Sequence, residues 1–91
     1  MEQKFLAACA AAAQKAEALG VRIRPITMES AHRCLSGHKP SDGFSQLGKL
    51  GRLELSLEAL AVQKAYTSLF SDDEANEALT RLLEAGYTFS L

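Results

Sequence analysis

The stretch LELSLEALAVQKAYTSLF, residues 53–70, has apolar residues that cover a broad arc when it is wound as a helix. Leu53, Leu57 and Leu60 fall on one line along such a helix. A helix with so wide an apolar arc is usually covered by neighbours on two sides. We therefore expect residues 53–70 to form the central helix of an all-α bundle. A second apolar line is formed by Leu55, Val62, Tyr66 and Leu69.

The next segment carries the start and stop signals of another helix. Ser71 and Glu74 have the spacing of a capping box, and the two aspartates between them suit the positive end of the helix dipole. Gly86 is placed as a left-handed C-cap, on which Tyr87 would fold back over Leu82 in a Schellman motif. The expected buried face of this helix consists of Ala75, Ala78, Leu79, Leu82 and Leu83.

The N-terminal segment is a third helix. Strong helix formers dominate residues 3–19, and Gly20 is placed to cap the C-terminal end. Small side chains are frequent on its apolar stripe, so a neighbouring helix can approach closely, and we expect that neighbour to belong to the same chain. The stripe, with spacings typical of a helix, consists of Phe5, Cys9, Ala12, Ala16 and Leu19.

Residues 21–26 (VRIRPI) alternate between apolar and polar side chains, which is typical of a short half-buried strand. Pro25 would confine such a strand to a sheet edge. Alternation returns at residues 87–91. The two segments are therefore candidates for one very short two-stranded β-ribbon.

Two short helices are predicted between this segment and the central stretch. Thr27 is placed to N-cap the first, MESAHRCLS, whose end is marked by Gly37. Pro40 breaks the chain, and Ser41 is placed to N-cap a weaker helix that ends by Gly51. The predicted architecture is a single helical domain over residues 1–91, a bundle of four or five helices.

Composition narrows the class of protein. The chain has 91 residues, of which 47% are hydrophobic and 23% charged, as in ordinary globular domains. No apolar run is long enough to cross a membrane. The sequence LAAC, ending at Cys9, has the pattern of a lipoprotein cleavage site, but too few residues precede it for a signal peptide. We expect a mature cytoplasmic helix there.

Charge is segregated along the chain although the net charge is −1. Residues 53–91 carry seven acidic side chains against two basic ones, whereas residues 21–52 carry six basic side chains against two acidic ones. The two halves are expected to attract each other within the fold or across a dimer. A binding face for nucleic acid or an acidic partner is the alternative. Its candidate residues are Arg22, Arg24, Arg33, Lys39, Lys49 and Arg52.

His32, Cys34 and His38 are the one cluster of candidate metal donors, and their spacing is poor. Residues two apart on a helix point about 200° away from each other, and zinc signatures bring donors in pairs. A Cys34–histidine catalytic pair would lack any motif for an oxyanion hole or an orienting acid. We therefore expect no metal, no cofactor and no enzyme activity.

Residues 21–52 also allow a helix-turn-helix interpretation. The helix over residues 28–36 would position the protein, and DGFSQLGKL (residues 42–50) would enter the major groove, with the basic residues at the phosphates. The turn is long and contains Pro40, and the acidic C-terminal half would repel DNA.

Together these features predict a small non-catalytic helical protein that acts through protein–protein contacts and self-associates, with a homodimer as the expected form. No membrane contact and no small-molecule substrate are expected. The alternative function is a nucleic-acid-binding regulator that uses residues 21–52.

Overall fold

The computed structural model of the protein describes residues 2–37 and 39–87. Over these ranges the chain forms five α-helices and two 3-10 turns, and no strand. The predicted all-α architecture is confirmed. The helices are α1 (Glu2–Ala18), α2 (Met28–Ser36), α3 (Phe44–Lys49), α4 (Leu57–Ala61) and α5 (Asp72–Glu84), and the 3-10 turns are Leu53–Leu55 and Thr67–Leu69.

Helix α1 buries its predicted stripe inside the chain. Phe5, Cys9, Ala12 and Ala16 are buried, and the helix packs against α4 and the 3-10 turn Leu53–Leu55. Leu19, the last residue of the predicted stripe, is instead 40% exposed. The small side chains of the stripe therefore serve close packing within one copy of the chain.

The segment after α1 is extended but unpaired, so residues 21–26 form no strand and the predicted β-ribbon is wrong at this end. Tyr87 lies outside any regular element, and residues 88–91 of the predicted ribbon lie outside the described residues. Val21, the first residue of the segment, is buried, so side-chain packing takes the place of strand pairing.

The two short helices form near the predicted positions. Thr27 caps α2 as predicted, since its hydroxyl accepts a hydrogen bond from the Ser30 amide at 3.1 Å, and Gly37 ends the helix. Helix α3 begins one residue after Gly43 rather than after Ser41. The Ser41 side chain does not cap it because its hydroxyl donates to Glu58.

Residues 53–70 do not form the single helix predicted for them. Ser56 interrupts the stretch: its hydroxyl donates to the Leu53 carbonyl at 2.7 Å and accepts from the Ala59 amide at 3.2 Å, so it starts the new helix α4. Helix α4 ends at Ala61, with Val62 as its C-cap. The broad apolar arc arises because this stretch is enclosed on several sides, which buries Leu53, Leu55, Leu57, Ala59, Leu60 and Ala61.

Helix α5 has both predicted caps. Ser71 and Glu74 form the capping box, and the Tyr87 amide donates to the Leu82 carbonyl at 2.9 Å in the Schellman motif. The helix packs on α4 and α2 through a buried face that includes Ala78 and Leu82. Two leucines predicted on that face are turned outward instead, Leu79 at 37% and Leu83 at 57% exposure.

Candidate functional site

A cleft of about 750 Å³ opens between α2, α4, the extended residues 21–27 and the loop of residues 37–43. Its size is that of a typical ligand pocket, roughly 300–1,000 Å³. The apolar part of the lining comes from four separate parts of the chain: Cys9, Ile23, Ile26, Leu55, Leu57 and Leu60. The cleft is therefore an apolar surface that only the folded chain assembles.

One wall of the cleft is fixed by a close approach between two segments. At Gly43, which has φ +74°, a Cβ atom would lie 2.6 Å from Cγ1 of Val21. Close to this contact, Arg24 donates two hydrogen bonds to the carboxylate of Asp42, at 2.7 and 3.0 Å. These bonds lower the pKa of Asp42 below its usual value. Gly43 and the Arg24–Asp42 ion pair together hold residues 21–27 against the loop of residues 37–43.

Behind the cleft lies a buried polar network centred on Glu58. Its carboxylate accepts hydrogen bonds from the hydroxyl and the amide of Ser41 and pairs with Nη1 of Arg81 at 3.2 Å. Glu58 is completely buried and Arg81 is 8% exposed. The second guanidinium nitrogen of Arg81 donates to the carbonyl oxygens of Cys34 and Gly37, each at 3.0 Å. Arg81 thereby caps the C-terminal end of α2.

Three of the six predicted basic residues, Arg24, Arg33 and Lys39, lie on the rim of the cleft. Arg33 pairs with Glu29 at 2.8 Å, and both side chains are largely exposed. Such an exposed pair is worth little energy and opens readily. Among the residues the structure describes, Lys39 has no carboxylate within 4.0 Å. Because Asp42 also lines the cleft and pairs with Arg24, the accessible positive charge of the rim comes from Arg33 and Lys39.

The other three predicted residues lie elsewhere. Arg22 and Lys49 are exposed and, within residues 2–37 and 39–87, form no ion pair. Arg52 pairs with Glu54 at 2.6 Å, which lowers the pKa of that carboxyl. None of the three lines the cleft.

The two helices of the helix-turn-helix interpretation pack mainly on different partners. Helix α2 packs on α5, whereas α3 packs on the 3-10 turn Leu53–Leu55. Helix α3 has only six residues, about 9 Å of helix. Its exposed polar side chains are Ser45, Gln46 and Lys49.

The candidate metal donors are directed to different places. His32 lies against α5, with Nδ1 2.7 Å from Oε2 of Glu74 and its ring 5.2 Å from that of Phe70. Cys34 faces Arg81, at 3.7 Å, and the cleft. His38 lies outside the described residues. In the part of the chain that the structure describes, no three His, Cys, Asp or Glu side chains are grouped so that they would hold a metal ion.

Both cysteines line the cleft and both are poor nucleophiles there. Burial raises the pKa of the Cys9 thiol to about 12. Burial also raises the pKa of the Cys34 thiol, with the Glu58 carboxylate adding to the effect and Arg81 opposing it. A raised pKa leaves little of the reactive thiolate at neutral pH.

Sequence reasoning missed the cleft and the Glu58–Arg81 pair. Each charged residue has a detectable signal, since Glu58 stands between Leu57 and Ala59 in the most apolar stretch and Arg81 directly precedes Leu82 and Leu83. A charge in such a position is either exposed or paired in the core. The cleft itself depends on contacts between distant segments, which no local pattern indicates.

None of the described helices combines the length and the apolar character needed to cross a membrane.

Comparisons with known proteins add no functional relative. No family model matches the chain, and neither the curated proteins nor the solved structures contain a match to it.

Proposed function

We propose that this protein is a non-catalytic interaction module of the cytoplasm that acts through protein–protein contacts made in the cleft. The observation that supports this function is the open apolar lining beside the basic residues Arg24, Arg33 and Lys39. An apolar surface of this kind gives binding energy when it is covered. The charged rim favours partners that carry carboxylates next to apolar side chains.

The chemistry of the cleft supports binding rather than catalysis. Its nucleophile is a cysteine with a raised pKa, and the described lining contains no histidine to act as its base. Behind the cleft, the Arg81 guanidinium already donates a hydrogen bond to the Glu58 carboxylate, and neither described side chain has a buried polar atom without a partner. A site with these properties holds an apolar group without activating it.

The test is selection of short peptides from a random display library on the purified protein. We expect the selected peptides to combine aliphatic or aromatic residues with Asp or Glu. Their affinity should fall at least about tenfold in Ile26→Glu, which places a carboxylate on the half-buried wall of the cleft. Leu50→Glu is the matched control, because Leu50 is 50% exposed and does not line the cleft. Peptide binding that Ile26→Glu leaves unchanged would contradict the proposed site.

A nucleic-acid-binding regulator is the second candidate. Arg22, Lys39 and Lys49 favour it, since they have no carboxylate partner among the described residues and can neutralise phosphates. Fluorescence anisotropy of a labelled random DNA duplex at low and moderate salt tests it. Binding that weakens steeply with salt, and weakens further in Arg22→Ala, would favour this function over the first. No binding at low salt would remove it.

A further inference from the structure

The outer face of α5 is an apolar ridge on an acidic helix. Leu79 and Leu83 lie one helical turn apart and are 37% and 57% exposed. The helix carries five carboxylates against one basic residue, Arg81, whose charge is buried against Glu58. Among the described residues, Glu74 pairs with His32 and Glu77 lies 3.9 Å from Nε of Arg81, so the unpaired negative charge of the helix comes from Asp72, Asp73 and Glu84.

This ridge has the chemistry that the cleft requires. The cleft offers an apolar lining for leucine side chains, and its rim carries Arg33 and Lys39 for nearby carboxylates, whereas Arg24 is already paired with Asp42. Residues of α5 do not line the cleft in their own copy, so the ridge can reach a cleft only in a second copy. The sequence has the same complementarity on a larger scale. Residues 21–52, which include the rim, have a surplus of basic side chains, and residues 53–91, which include α5, have a surplus of acidic ones.

We propose that the protein self-associates by placing the Leu79–Leu83 ridge of one copy in the cleft of another. The inference rests on the proposed function of the cleft and names its occupant. Two such contacts related by a twofold axis would close a homodimer, since each copy supplies one ridge and one cleft. The leucines supply most of the affinity, because exposed ion pairs at the rim add little.

Sedimentation equilibrium of the full chain tests the contact. The wild-type protein is expected to dimerise, and Leu83→Glu is expected to weaken the dimer at least about tenfold, as loss of a central apolar contact does. Leu50→Glu is the matched control on another exposed leucine and should leave the dimer intact. Circular dichroism melts show whether each variant remains folded. A monomeric wild-type protein at high micromolar concentration, or a Leu83→Glu variant that dimerises normally, would overturn the proposal.

A mixing experiment identifies which surfaces meet. Ile26→Glu blocks the cleft and keeps the ridge, whereas Leu83→Glu blocks the ridge and keeps the cleft. Each variant alone retains no intact contact, whereas a mixed pair retains one intact ridge in one intact cleft, so the mixture should associate more tightly than either variant alone and less tightly than the wild-type protein. A mixture that associates no more tightly than either variant alone means that the ridge does not enter the cleft, and the proposal is wrong.

The same variants separate this inference from the proposed function. Leu83→Glu retains the cleft, so it should still bind the peptides selected on the wild-type protein. If the wild-type protein is monomeric but binds those peptides through the cleft, the function stands and self-docking is wrong. If Ile26→Glu weakens neither peptide binding nor self-association, the cleft is not a binding site. The proposed function and the self-association proposal are then both wrong.

Discussion

Arg81 and Glu58 form an ion pair inside the protein, with Nη1 and Oε2 3.2 Å apart and the two residues separated by 23 positions in sequence. Burying two charges costs several kcal/mol per ion, which the pair recovers only if every remaining donor and acceptor is satisfied. Here Ser41 and the carbonyl oxygens at the end of α2 complete the arrangement. Among the described side chains, no buried polar atom lacks a partner.

Replacing Arg81 by Met should lower the free energy of unfolding by about 3–5 kcal/mol, because it leaves the Glu58 carboxylate buried without a counter-charge. Urea unfolding followed by circular dichroism measures the change. Arg33→Met is the control, since Arg33 pairs only with exposed Glu29 among the described residues, and a change within about 0.5 kcal/mol is expected there. Adding Glu58→Leu to Arg81→Met should recover part of the loss. Equal effects of the two arginine substitutions would contradict the buried-pair assignment.

Replacing Gly43 by Ala should destabilise the protein more than the same change at Gly20. Both glycines have positive φ, +74° and +87°, which costs an L-residue about 1–2 kcal/mol. A Cβ atom at Gly20 would meet open space, whereas one at Gly43 would meet Val21 at 2.6 Å. The clash should add about 1–3 kcal/mol. Thermal unfolding of the two variants compares them, and similar losses would show that the segments separate easily.

The Glu74 carboxylate should stabilise the fold only above acidic pH. Burial by itself would raise the pKa of Glu74, but hydrogen bonds from the Ser71 amide and from His32 outweigh it and lower the pKa below 4.5. A lowered native pKa gives stability that is present above the unfolded-state value and is lost as the pH falls through the native value.

The variant Glu74→Gln measures this contribution, because glutamine keeps the capping geometry without the charge. The wild-type protein should exceed it in free energy of unfolding by about 0.5–1 kcal/mol at neutral pH. Urea titrations at a series of pH values should show the difference shrinking below pH 4.5. A difference that stays constant through acid would contradict the assignment.

The two cysteines should differ in their reaction with iodoacetamide. Cys34 is half-buried and faces the cleft, whereas Cys9 is 3% exposed with a pKa raised to about 12. We expect slow alkylation of Cys34 in the native protein and alkylation of Cys9 only after unfolding. Mass spectrometry of Cys9→Ser and Cys34→Ser assigns each site. If Cys9 in the native protein were alkylated as fast as Cys34, the part of the cleft lined by Cys9 would be open to reagents.

Local signals predicted the helix ends well. Thr27, Ser71 and Gly86 act where the sequence places them, because capping depends on hydrogen bonds between residues close in the chain. The buried stripe of α1 was also predictable, since its spacing alone defines one face.

The errors lie where distant contacts decide the outcome. The break at Ser56 is the exception, because the hydrogen bonds by which it starts α4 are local, but the surrounding apolar arc fits one long helix equally well. Leu79 and Leu83 lost their predicted burial because the face of α5 that meets α2 carries Arg81. Three of six candidate basic residues share the cleft rim, but the cleft itself needs contacts between α1, α2, α4 and two loops. Such tertiary arrangements have no local pattern.

The hydrogen bond from the Ser41 amide ties the loop that walls the cleft to the core. The amide lies in a loop, yet it donates to the fully buried Glu58 carboxylate at 2.8 Å. Loop amides usually exchange with deuterated solvent through local fluctuations, whereas an amide held by a core group exchanges only when the core opens. We therefore expect the wall of the cleft to open only together with α4 and α5. A partner would meet a surface that is already ordered, and little conformational entropy would be lost when it binds.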